Sequence, residues 1–148
     1  MLQGAGIILG GQHFKKLYEK CMDGVGKKYG LTRAEIDLLL YLRHSSDRTA
    51  SAAADYLMQA RSNVSKNVEE LTRRGLIQGT RNEKDRRCVR LQLLPVAEPL
   101  LDDAETALNR FYDRLMTGFS PEEKCQLQDM LKRLDVNIRA EMTRREDD

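Results

Sequence analysis

Between residues 7 and 25 apolar side chains recur at three- and four-residue steps, at Ile7, Ile8, Phe14, Leu17, Tyr18, Cys21, Met22 and Val25. That period predicts an amphipathic helix, which Tyr29 and Gly30 bring to an end. Thr32 then offers a side-chain oxygen to cap a second helix. Glu35, three places on, completes a capping box ahead of Ile36, Leu38, Leu39, Leu40 and Leu42. This helix is expected to stop between Arg43 and Ser46. Two short helices follow with almost no spacer, residues 51–57 and 62–74, joined by residues 58–61. Ala53, Ala54 and Leu57 stripe the first, Val64, Val68 and Leu71 the second, and the small alanines allow a close, steep crossing. The spacing is that of a helix-turn-helix, and Gly75 suits a left-handed C-cap after its second helix.

The pattern then changes period. In residues 76–81 and 88–93, Ile77, Val89, Leu91 and Leu93 fall on alternating positions around a polar stretch at 82–87, which predicts a hairpin with a charged tip. Pro95 and Pro99 suit the first turn of a fifth helix striped by Leu100, Leu101, Ala104, Leu108, Phe111, Tyr112, Leu115 and Met116 and running to Phe119. Ser120, Pro121, Glu122 and Glu123 form a dense start signal for a last helix carrying Leu127, Met130, Leu131, Leu134, Ile138 and Met142, with residues 143–148 a fraying tail. The expected fold is therefore mainly α, of α+β class. It is a winged helix-turn-helix at 31–94 between helical regions at 1–30 and 95–148, in a single domain of 148 residues.

Composition narrows the class. Apolar residues make up 41% and charged residues 32%, the mixture of an ordinary globular chain rather than a disordered one. No run approaches the roughly 18 apolar residues of a membrane span, and residues 1–11 lack the basic start of a secretory signal, so a cytoplasmic protein is expected. Cys21, Cys88 and Cys125 are odd in number and scattered, so neither a disulfide framework nor a zinc site is expected, and no cofactor. Cys88 and Cys125 read as packing residues, His13 and His44 as surface or capping residues. A net charge of +2 becomes informative when divided along the chain: residues 61–90 carry +5 and residues 95–148 carry −5. The excess of cations falls on one helix and the hairpin that follows it.

The residues of this middle section resemble the MarR family of bacterial regulators. The likeness is carried by Leu31 and Thr32 opening the second helix, and by Arg61, Ser62, Asn63, Val64 and Ser65 opening the fourth. It continues in Leu71, Thr72, Arg73, Arg74, Gly75, Leu76 and Ile77 at the close of that helix, and in Lys84, Asp85, Arg86 and Arg87 in the wing. One departure is visible: Leu93, Leu94, Pro95 and Val96 stand where such families usually place a threonine and a glycine. The resemblance implies a transcriptional regulator, expected to be a repressor, acting as a homodimer on a pseudo-palindromic stretch of double-stranded DNA. It also implies release by a small lipophilic or aromatic effector held between the dimer frame and the DNA-binding unit, or by oxidation of a thiol. Cys21 lies on the first helix, where the peroxide-sensing branch of the family carries its sensing cysteine.

A recognition helix enters the major groove by its N-terminal end. Asn63 suits a bidentate pair with adenine and Arg61 one with guanine, Ser62 and Ser65 suit base edges or phosphates, and Lys66 suits a phosphate. The plain alternative makes Ser62 a helix cap and Arg61 a solvated charge. In the wing, Asp85 stands close enough to steady Arg87, which by resemblance enters the minor groove, where a narrow A·T-rich stretch concentrates negative potential. Arg86 shares that task or binds a phosphate beside Lys84. Arg73, Arg74, Arg81 and Arg90 read as phosphate contacts or as solubilising charges. An enzyme is not expected, since the chain holds no dinucleotide fingerprint, phosphate loop or zincin motif. A winged helix that binds only protein is the remaining alternative, separable by salt-dependent binding to duplex DNA.

Overall fold

The computed structural model describes residues 4–81, 83–84 and 88–146, of residues 145 and 146 the backbone only. Six helices and one hairpin run in the order α1 (Ala5–Tyr29), α2 (Arg33–His44), α3 (Ala50–Leu57), α4 (Arg61–Arg73), β1 (Ile77–Arg81), β2 (Val89–Leu93), α5 (Glu98–Leu115) and α6 (Pro121–Glu146). The chain divides into two compact units, Met1–Phe111 and Tyr112–Asp148.

In the first unit, α1 ends at Gly30, whose φ of 64° is the left-handed turn that glycine enters at little cost. The Leu31 amide donates back to the Gly26 carbonyl at 2.9 Å and completes the turn. Helix α2 opens with both halves of the expected capping box, Glu35 N–H to Thr32 Oγ1 at 3.2 Å and Thr32 N–H to Glu35 Oε2 at 2.9 Å. This reciprocal bonding lets the Glu35 carboxylate sit almost wholly buried. Helix α3 begins one residue earlier than its sequence suggested, because Thr49 rather than Ala50 supplies the cap, accepting from Ala52 N–H at 3.1 Å. The turn to α4 passes through Met58 at φ 53°, a left-handed non-glycine residue worth about 1–2 kcal/mol of strain. Gln59 N–H holds the turn by donating to the Ala54 carbonyl at 3.0 Å.

The hairpin pairs antiparallel with Ile77 opposite Leu93, Gly79 opposite Leu91 and Arg81 opposite Val89. Its alternation is as the sequence implied at Ile77 and Leu91, which are buried, and weaker at Val89, which is exposed. The second strand is also anchored sideways: Leu91 N–H donates to the Arg48 carbonyl at 2.7 Å, and Thr49 and Arg90 form a bridge. The wing thus springs from the same segment that caps α3. Met22, Ile36, Leu39, Leu42, Ala53, Val64, Leu71, Ile77, Leu91, Leu101 and Ala104 close one continuous core in this unit, each large side chain contributing about 1.5–3 kcal/mol of burial.

The unusual residues after the second strand resolve simply. Leu94 is extended, Pro95–Ala97 form one 3₁₀ turn, and α5 starts at Glu98 with Pro99 in its first turn. Helix α5 stops at Leu115, short of the Phe119 expected from its stripe, because Gly118 at φ 85° turns the chain. In the second unit, α6 opens at the start signal its sequence announced, and the cap is a full capping box, with Glu123 N–H to Ser120 Oγ at 3.1 Å and Ser120 N–H to Glu123 Oε2 at 2.8 Å. It continues to Glu146, past the point where fraying was expected. No described helix is long and apolar enough to cross a membrane.

Candidate nucleic-acid interface

Helix α4 is held to the core by Val64, Val68 and Leu71, a spacing that leaves the opposite face to solvent. Around Val64, on the first two turns, Arg61, Ser62, Asn63, Ser65 and Lys66 are all exposed. The cap decides between two readings of Ser62. The N-cap is Ala60, in extended backbone, and no side chain bonds there, so Ser62 lies inside the first turn and is not the cap. Nor does an acid stand in that turn. Helices α2 and α6, by contrast, each open with a serine or threonine cap and glutamates against the positive end of the helix dipole. The start of α4 therefore keeps its amides and dipole uncompensated beside two cations, a combination that attracts anions. Its acids lie towards the other end, where Glu70 accepts from Arg73 Nε at 2.9 Å and its carboxyl falls below the usual range because of that bond.

The four arginines read as phosphate contacts or solubilising charges divide. Arg74 is neither: its guanidinium donates to the Gly30 carbonyl at 2.9 Å and to the Tyr29 carbonyl, closing the C-terminal end of α1. Arg73 is paired with Glu70, Arg90 donates to the Ser46 carbonyl at 3.1 Å, and Arg81 is exposed at the end of β1. In the wing Lys84 is exposed, whereas Asp85, Arg86 and Arg87 lie outside the described residues.

With this geometry in view, the comparisons with known proteins are decisive for the core. The MarR family model matches residues 29–87, from the end of α1 through the wing. Through this segment the chain is similar to the MarR family. The fold extends beyond the segment. A MarR-family transcriptional regulator from Silicibacter pomeroyi superposes with a TM-score of 0.81 at 20% identity, covering 93% of this chain and 92% of that one. A MarR protein from Peptoclostridium difficile gives 0.83 at 15% identity with 95% and 92% covered, and a MarR-family protein from Bacillus stearothermophilus gives 0.72 at 20% with 90% and 94%. At these identities the likeness is one of fold, and it includes the helices flanking the matched segment.

Other features of the chain were not announced by its sequence. A cavity of about 340 Å³ opens between α1, α2 and α3, lined by Tyr18, Asp37, Leu40, Tyr41, His44, Ser45, Tyr56 and Leu57. Tyr18 Oη donates to Asp37 Oδ1 at 2.6 Å; burial first, and that bond second, push the phenol upward. Burial likewise raises the Asp37 carboxyl, against the Tyr18 bond and the Arg33 charge. The Tyr41 and Tyr56 rings lie 5.2 Å apart, tilted by 43°. No periodicity marks these tyrosines as partners, since each comes from a different helix. Arg43 of α2 meets a row of acids on α5, Glu98 at 3.4 Å, Asp102 at 3.0 Å and Glu105 at 3.5 Å, and His44 meets Glu105 at 2.6 Å. The spacing of that row, four and then three residues, was the available signal. Cys21 donates to the Ala107 carbonyl at 3.2 Å, half-buried between α1 and α5. Cys88 is also half-buried, whereas Cys125 is exposed on α6 rather than packed. Among the described residues no group of three or more His, Cys, Asp or Glu side chains could hold a metal ion.

Proposed function

We propose that this chain is a transcriptional regulator, acting as a repressor, whose homodimer reads a pseudo-palindromic operator. The observation that carries the reading is the start of α4: five exposed polar side chains around a helix terminus with no side-chain cap and no acid. Asn63 and Arg61 read bases, while Ser62, Ser65 and Lys66 fix register on base edges and phosphates. Lys84 and Arg86 serve the backbone at the wing, where Asp85 steadies Arg87 for the minor groove. One such surface makes few contacts, and a two-fold pair with recognition helices about 34 Å apart doubles them.

Two apolar faces support the pairing. Along α1, Ile7 and Ile8 are 66% and 63% exposed, with Phe14 and Leu17 continuing the face. Along α6, Met130, Leu131, Leu134, Ile138 and Met142 are exposed, and no described side chain of that helix is buried in the single chain. The cavity among Tyr18, Asp37 and Tyr56 is the seat of a small effector, which releases DNA by favouring a spacing that no longer fits the operator. Cys21, bonded to a helix carbonyl, packs α1 on α5 in this reading. Anisotropy titration with DNA flanking its own gene tests the proposal. Binding should be specific and salt-dependent, and Arg87→Ala should abolish tight binding while leaving a folded dimer. Equal affinity of wild type and Arg87→Ala for the operator would overturn the role of the wing.

A further inference from the structure

Resting on the reading of the cavity as an effector site, we infer that its effector is a cation with an aromatic or compact apolar body, such as a benzyl ammonium, and not an aromatic acid. The lining carries one carboxylate, Asp37, and neither lysine nor arginine. The hydroxyls of Tyr18 and Tyr41 are engaged within the protein, on Asp37 and on the Asp47 carbonyl. What these rings offer a guest is therefore their faces, whose quadrupole is negative and attracts cations.

The surrounding charges have the same sign. Asp37 is only loosely answered by Arg33, at 3.8 Å, because Arg33 is drawn to Glu19 at 2.6 Å. Arg43, next to the lining residue His44 in the chain, is itself answered by Glu98, Asp102 and Glu105. In the lining itself Asp37 is the one carboxylate, and His44, which meets Glu105, is a further titratable group. An anion entering here meets the Asp37 carboxylate and neither lysine nor arginine in the lining; a cation meets a partly desolvated carboxylate with tyrosine rings beside it.

The chain has no tryptophan, and three of its five tyrosines line this cavity, so quenching of tyrosine fluorescence reports on it. The full-length protein is titrated with benzyltrimethylammonium, benzyl alcohol and benzoate, with calorimetry as a second readout. The cation should bind at least tenfold more tightly than the alcohol, and benzoate most weakly. Asp37→Asn should erase the preference for the cation. Tyr56→Leu, at an exposed position that leaves the core intact, should weaken the cation several-fold more than the alcohol. Benzoate binding as tightly as the cation, or a preference that survives Asp37→Asn, overturns the charge argument while leaving the effector site standing. Binding of none of the three overturns the effector site and this inference with it.

Discussion

Replacing Arg74 by alanine removes both bonds by which the end of α4 closes the end of α1. Gly30 and Tyr29 would be left with carbonyls at the negative end of a 25-residue helix and no guanidinium to face them. A hydrogen bond to a charged group contributes about 1.5–3 kcal/mol where solvent is excluded. One of these bonds is exposed and the other half-buried, so about 2 kcal/mol for the pair is the appropriate figure. For a chain of this size that corresponds to a fall in Tm of about 4–8 °C, readable by circular dichroism. DNA binding supplies the discriminating assay. A residue that touches phosphate contributes about 0.9 to the slope of log affinity against log salt, whereas one that only seats α4 lowers affinity and leaves the slope unchanged. Arg74→Ala should lower Tm and affinity at constant slope, with Arg74→Lys intermediate. An unchanged Tm with a slope reduced by about 0.9 would refute the argument and restore Arg74 to the DNA surface.

Gly26→Ala tests the turn at Gly30. Alanine normally stabilises a helix interior by about 1 kcal/mol, but a Cβ here would stand 2.8 Å from the Leu31 carbonyl oxygen, so a loss of about 1–3 kcal/mol in denaturant unfolding is expected, and a gain would contradict the packing. Bonds from Lys28 and Tyr29 hold the Asp103 carboxyl below its ordinary range. Its contribution to stability is present above the ordinary carboxylate pKa and lost as pH falls through the depressed one, so the Tm gap between wild type and Asp103→Asn should close as the solution is acidified below the ordinary carboxylate range. Asp37, raised by burial, has the opposite sign: its contribution is greatest in acid and is lost as pH rises through its folded value. Asn63→Ala should relax specificity at one base pair by about 1–3 kcal/mol, whereas Lys66→Ala should weaken all sequences alike; the reverse outcome in competition titrations would exchange their roles.

The parts of this molecule that depend on near neighbours in the chain were legible before the structure. The caps at Thr32 and Ser120 are three-residue events, and the stripe at Val64, Val68 and Leu71 needs only the helical period. Helix ends set by backbone turns were harder. The Gly118 turn cuts α5 short of its own apolar stripe, which runs on to serve other surroundings. Least legible were contacts between distant helices. Arg74 sits in a basic run that suggests nucleic acid, yet its partners are carbonyls 44 and 45 residues away. The tyrosines at 18, 41 and 56 acquire a common meaning only when three helices are packed.

The bare beginning of α4 has a thermodynamic corollary. A serine or aspartate at Ala60 would supply the missing cap and strengthen the helix by about 1 kcal/mol, roughly a fivefold shift towards the folded form. On the function proposed above, aspartate would also set a permanent negative charge where a phosphate or base edge must arrive. Such a variant should melt later and grip its operator more loosely, so that robustness and occupancy pull this one position in opposite directions.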